Sequence, residues 1–199
     1  MKNNKLKYNI VILFFITIEI VLAITPLGFI NIGPIRSTTL HIPVILAGLL
    51  LGYKASIYLG ITFGITSVFI NTIMPTVASF IFSPFVSVGN YQGNIYSLVI
   101  AIIPRILLGL ITVYIYKKFN KDYLAISIST IMHTVIVMGM IFLFFNDPYA
   151  SINNISSDLL FKFIMGVIAT NGVMEVIVAN AIVIPMYNIL KKEVRRFLL

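Results

Sequence analysis

Cysteine is absent from the chain, which excludes disulfide frameworks, thiolate metal sites and thiol catalysis. Two histidines and six carboxylates are scattered over 199 residues, too few to build a metal cage. Charge is scarce: 10% of residues carry it, against about 25% in a soluble globular domain. Catalytic signatures are missing as well, with no P-loop, no G-x-S-x-G and no H-E-x-x-H. No enzyme activity or cofactor is expected, and if the chain moves a solute with ATP, another subunit must hydrolyse it. In place of charge there is apolar length. The residues are 59% hydrophobic with a mean hydropathy of +1.04, so the solvent is lipid and the chain is an integral membrane protein.

Apolar runs broken by Pro, Gly, Asn and charge divide residues 1–199 into a single all-α transmembrane domain of six spans. They are expected at about 9–30, 38–52, 56–74, 94–116, 123–145 and 160–190. The second is short for a crossing and the sixth long, with Gly172 and Pro185 as candidate breaks. "MKNNKLKY" has the look of a signal-peptide head, but the apolar run behind it is long enough to span, so an uncleaved first helix is expected.

Basic residues give the direction. With both termini inside, Lys2, Lys5, Lys7, Lys54, Lys117, Lys118, Lys121, Lys191, Lys192, Arg195 and Arg196 all face the cytoplasm, eleven of the fourteen basic residues. The outer loops hold Arg36 alone, while Lys162 snorkels at a helix end. The net charge of +8 is therefore a topology signal, and no nucleic-acid surface is expected. The outer stretch "PTVASFIFSPFVSVGNYQGN" is long, nearly uncharged and rich in aromatics, suited either to covering a pocket or to packing on helix ends.

Four ionisable groups fall near mid-span: Glu19, Arg105, His133 and Glu175. A charge at that depth costs several kcal/mol, so each should face the bundle interior and find a partner. Arg105 pairs either with Glu19 or Glu175, or with an anionic ligand. The same groups also suit a second function, a proton-coupled secondary carrier using Glu19, His133 and Glu175. Asn171 and Glu175 are four apart in "IATNGVMEVIVAN" and share a helical face. In "IAIIPRILLGLI", Pro104 removes a helix donor and frees a carbonyl beside Arg105. Gly48 with Gly52, and Ser56 with Gly60 and Gly64, repeat small residues at four-residue spacing, for packing within the bundle or docking of a partner.

"TLHIPVILAGLLLGYKASIYLGITFGITSVF", "SFIFSPF", "IIPRILLGL" and "IATNGVMEVIVA" occur in that order, and from about Thr38 to Asn180 the chain resembles the substrate-binding S component of energy-coupling factor transporters, most nearly the pantothenate type. The resemblance implies a six-helix protein of the bacterial cell membrane that binds a vitamin, pantothenate or another small one, near its outer side. It implies docking to a transmembrane coupling subunit and two cytoplasmic ATPases, whose ATP use reorients the S component. The segments around Arg36, Ser79 to Tyr91 and Asp147 to Ser156 would form the lid. On this reading Arg105 takes the ligand carboxylate, His133 and Asn171 bond its amide or hydroxyls, and Glu175 accepts from a hydroxyl or orients Arg105. Phe82, Phe85 and Tyr91 would close the apolar walls. "VILFFITIEIVLA" departs from the family, because bulky residues stand where alanines at four-residue spacing serve docking. That leaves the faces of Gly48, Gly52, Ser56, Gly60 and Gly64 as the docking candidates.

Overall fold

The computed structural model describes residues 2–32 and 35–199, and side chains for 4–28 and 38–199. Helix α1 runs over Lys2–Ile24 and a hairpin follows, with β1 at Phe29–Ile32 antiparallel to β2 at Ile35–Thr38. Helices α2 (His41–Leu51), α3 (Tyr53–Ile73), α4 (Ile95–Phe119) and α5 (Asp122–Phe144) come next. Between α3 and α4 lies a two-residue ladder of β3 (Ser87–Val88) and β4 (Tyr91–Gln92). Short α6 (Asn146–Ile152) leads into α7 (Ser157–Val167), which continues through a π-helical turn at Ile168–Gly172 into α8 (Val173–Leu198).

Among the described residues, five helical stretches are long and apolar enough to cross a membrane: Asn4–Ile24, Tyr53–Ile73, Ile95–Phe119, Asp122–Phe144 and the 42 residues of Ser157–Leu198. Helix α2, with 11 residues, is shorter than a crossing needs at about 1.5 Å per residue. The first expected span ends earlier, because Pro26 and the hairpin take the chain out of helix after Ile24, and it begins earlier, at Lys2. The last does not break. At Gly172 the helix widens by a π turn, and Pro185 is carried inside α8.

Burial explains why α2 is short and uniformly apolar. His41 to Leu49 are all buried, so the helix is a core element surrounded by other helices rather than one with a lipid face. Helix α1 instead exposes Leu6, Ile10, Leu13, Phe14 and Ile20 and buries a seam of Ile12, Phe15, Glu19 and Ala23. Hydroxyls in the spans bond back to their own helix, as Thr62 does to the Tyr58 carbonyl (3.0 Å) and Thr112 to Leu108 (2.8 Å), which satisfies them in a medium without water.

The small residues of α3 pack inside the chain, the first of the two uses open to them. A Cβ on Gly60 would lie 2.7 Å from the Arg105 carbonyl oxygen, and one on Gly64 2.9 Å from the Ile102 Cα. On the facing helix, a Cβ on Gly109 would stand 2.7 Å from the Ser56 Cβ, and Ser56 is fully buried. Gly48 in α2 packs beside Val113 and Ser56. Gly52 joins α2 to α3 at a φ of 85°, a turn conformation that favours glycine, with open space around it.

Two apolar clusters follow. One gathers α1, α2 and α3 with Leu108, Ala125, Ala179, Val183 and Tyr187, and the other gathers Phe80, Ile81, Ile100, Met138, Phe145 and Leu160. The Lys7 ammonium lies 5.8 Å over the Phe197 ring, so both chain ends meet at one end of the bundle. Lys117 sits 4.5 Å over Tyr53 and Tyr8 donates to the Leu51 carbonyl at that same end.

The α3–α4 contact sets one expectation. Gly60→Leu should lower thermal stability in detergent by about 1–3 kcal/mol, as overpacking does. Gly139→Ala, where a Cβ meets nothing within 4 Å, should be neutral or stabilising by up to about 1 kcal/mol. A Gly60→Leu chain as stable as the parent would contradict the close contact.

Candidate functional site

Pro104 has no N–H, so the Ile100 carbonyl one turn back in α4 lacks its helix donor. The Arg105 side chain turns along the helix and donates from Nη1 to that oxygen. Its guanidinium lies over two rings, with Cζ 5.3 Å from the Phe63 centroid and 5.3 Å from that of Phe82. His133 stacks on Phe63, with centroids 6.2 Å apart and planes at 28°. Imidazole, ring, guanidinium and ring therefore form a column drawn from α5, α3, α4 and the α3–α4 loop. Each contact with the cation is favourable by about 0.5–2 kcal/mol.

This column stands in the wall of a cavity of about 910 Å³, between the two apolar clusters and at the end of the bundle away from the chain termini. Arg105, His133, Asn171, Glu175 and Phe82 all line it. Arg105 is 7% exposed and forms no ion pair among the described residues, and its Nε finds no acceptor there. Glu175 is turned elsewhere, its Oε2 accepting from the Thr134 hydroxyl at 2.9 Å. Glu19 is fully buried in the α1 seam, with neither oxygen partnered among the described residues, and it does not line the cavity. Neither carboxylate occupies the cation, and Glu19 stands apart from the two groups with which a proton relay would need to connect it.

Asn171 and Glu175 reach the cavity from either side of the end of the π turn. Val167, Asn171 and Glu175, each four apart, all line it, although 168–172 is wound more widely than an α-helix. Local π turns of this kind recur at functional sites.

The loop from Met74 to Asn94 is tied down by polar contacts. The Ser79 hydroxyl donates to Asn71 Oδ1 (2.7 Å) and accepts from the Thr76 amide (2.8 Å), and the hydroxyls of Thr72 and Ser83 meet at 2.7 Å. Ser97, in the capping box that opens α4, donates to the Phe80 carbonyl at 2.6 Å. This ordering delivers Phe82 to the guanidinium. It does not deliver the other two expected wall residues: Phe85 is 76% exposed, and Tyr91 stacks on Phe80 with centroids 5.9 Å apart. Neither lines the cavity, because the loop buries Phe80 and Ile81 as its apolar anchor in their place. Arg36 pairs in register with Asn31, and its side chain lies outside the described residues.

Several lining residues were not expected. Phe63, Ser67 and Asn71 step along α3 at four-residue intervals, with Thr66 and Ile70 beside them. That stripe of small polar groups in an apolar helix was the available signal. His41 is 2% exposed and follows the lining residues Thr38 and Leu40, and its Nε2 is unpartnered among the described residues.

The chain was also compared with known proteins. The family described as "ECF transporter, substrate-specific component" matches residues 10–187. The "Pantothenic acid transporter PanT" of Lactococcus lactis subsp. cremoris (strain MG1363) is 35% identical over 186 residues, covering 90% of this chain and 91% of that protein. The "Pantothenate transporter PanT" of Leuconostoc mesenteroides subsp. mesenteroides is 26% identical over 207 residues, covering 96% and 95%.

A buried cation without a counter-ion is costly to the empty protein. Replacing Arg105 by Met should therefore leave ligand-free thermal stability in detergent equal or raise it, by up to about 3 kcal/mol. A clear loss of stability would mean that Arg105 holds the bundle together.

Proposed function

The chain belongs to the substrate-specific components of ECF transporters, and from that premise we propose that its cavity captures pantothenate, with Arg105 receiving the carboxylate. It is a multi-pass protein of the bacterial plasma membrane and a transport subunit rather than an enzyme. The observation that carries the substrate reading is the cation. Arg105 lines a cavity with no acidic partner among the described residues, and the named relatives transport an anionic vitamin.

Pantothenate offers one carboxylate, one amide and two hydroxyls. Opposite them the cavity presents the guanidinium, the His133 imidazole, the Asn171 and Asn71 amides and the Glu175 carboxylate. A carboxylate at the guanidinium makes a charge-assisted contact, which is strong where water is excluded. Hydroxyls donate to Glu175, and His133 and Asn171 serve the amide. A volume of about 910 Å³ falls within the usual range of small-molecule sites, about 300–1,000 Å³.

The orientation follows from charge. The end holding both termini and Lys54, Lys117, Lys118 and Lys121 faces the cytoplasm, which puts the cavity mouth outside. Helix α2 makes the sixth, short crossing inside a single domain of residues 1–199. A transmembrane coupling subunit and two ATPases supply the energy. Docking uses the lipid-facing side chains, since the Gly60 and Gly64 face is occupied by α4.

Calorimetric titration of the purified chain with pantothenate tests the substrate. Binding at micromolar concentration is expected, and no heat at that concentration rejects the assignment. Arg105→Ala should weaken binding by about a hundredfold, as truncating one side of a buried charged contact does. Pro104→Ala, which restores a donor to the Ile100 carbonyl and frees the guanidinium from it, should weaken binding by about tenfold. In liposomes the chain alone should not accumulate pantothenate under a pH gradient, and accumulation there would favour a proton-coupled carrier.

A further inference from the structure

We propose that Thr134 is a positioning residue that keeps the Glu175 carboxylate off Arg105, so that the guanidinium stays open to an anionic ligand. The proposal rests on the capture reading above. Arg105 and Glu175 line the same cavity, and the charge of each is felt at the other. Two such groups should pair, because opposite charges attract strongly where the dielectric constant is low. They do not pair.

What separates them is a hydroxyl on a third helix. Thr134 is 8% exposed, on the face of α5 toward α8, and its hydroxyl reaches Glu175 Oε2 at 2.9 Å. The Thr130 carbonyl competes for that single proton at 3.2 Å, but the carboxylate is nearer and, when charged, the stronger acceptor. The backbone is arranged for this contact. A Cβ on Gly172, at the end of the π turn, would lie 3.7 Å from the Thr134 Cγ2. This ordinary van der Waals packing leaves Glu175, three residues further on, within reach of the hydroxyl.

The consequence is a division of labour. Arg105 stays without an acidic partner among the described residues, and it lines the cavity in which an anionic ligand would meet it. Glu175 stays in the cavity wall, where its carboxylate can accept from a donor on the ligand. Without the hydroxyl, the carboxylate keeps the Thr38 backbone as a partner and turns to the guanidinium for the rest, so that the two neutralise each other across the site.

A double-variant cycle tests this, with pantothenate titrated into the parent, Thr134→Val, Thr134→Ser, Glu175→Gln and the Thr134→Val/Glu175→Gln chain. Thr134→Val should weaken binding about tenfold, while Thr134→Ser stays within about twofold of the parent. In the Glu175→Gln background the same Val substitution should change affinity by less than about twofold, because no carboxylate remains to capture Arg105. An equal penalty in both backgrounds overturns the proposal, since a direct ligand contact or a packing defect would give that result.

A readout without ligand separates this proposal from the substrate assignment. In nitrogen NMR spectra of the empty protein, with Arg105 Nε identified through Arg105→Lys, the resonance should move in Thr134→Val and return in the double variant. If the parent binds no pantothenate but the resonance moves and returns, the vitamin is wrong and the role of Thr134 stands. If the resonance stays in place in Thr134→Val, the role of Thr134 is wrong whatever the parent binds.

Discussion

The Ile100 carbonyl is the fixed point of this molecule. Pro104 deprives it of a helix donor, Arg105 supplies one from its side chain, and that bond fixes where the only mid-span cation stands. A guanidinium is planar and weakly hydrated for a cation, so it tolerates a place over two aromatic faces better than an ammonium would. Phe63 and Phe82 provide those faces from separate elements. The cavity is therefore built around a charge that the chain itself leaves without an acidic partner among its described residues.

The surrounding packing serves the same point. Gly60 lets α3 lie directly on the Arg105 backbone, and Phe63, three residues on, then reaches the guanidinium. In a bilayer there is little hydrophobic gain in bringing helices together, so close van der Waals contact between small residues takes over that role. The stripe that looked available for a partner is thus used in positioning the site. The loop after α3 is held by hydroxyl and amide contacts and brings Phe82 to the guanidinium as well. Buried polar groups with good partners give such a loop one conformation where apolar contacts alone would allow several.

Much of the arrangement was legible from residue types. Mid-span Arg105, His133 and Glu175 had to face inward, since charge in lipid is costly, and all three line the cavity. The freed carbonyl followed from Pro104 alone. Asn171 and Glu175 were placed together by their four-residue spacing, a relation that survived the π turn between α7 and α8. Glu19 shows the limit of the argument: inward depth was readable, but it sits in the α1 seam outside the cavity. Phe85 and Tyr91 show another. In a loop without periodicity nothing marks which of several aromatics is buried, and it is Phe80 that the loop buries and Phe82 that lines the cavity.

By itself the sequence determined the solvent, the main helices and the presence of an inward-facing cation. These depend on the composition of single segments and on the cost of charge in hydrocarbon, both local quantities. Only the tertiary structure decided which carboxylate lies near that cation and whether the two pair. That choice turns on a Thr134 hydroxyl from one helix and the packing of another at Gly172, and distances between helices far apart in the chain are not encoded in any one of them.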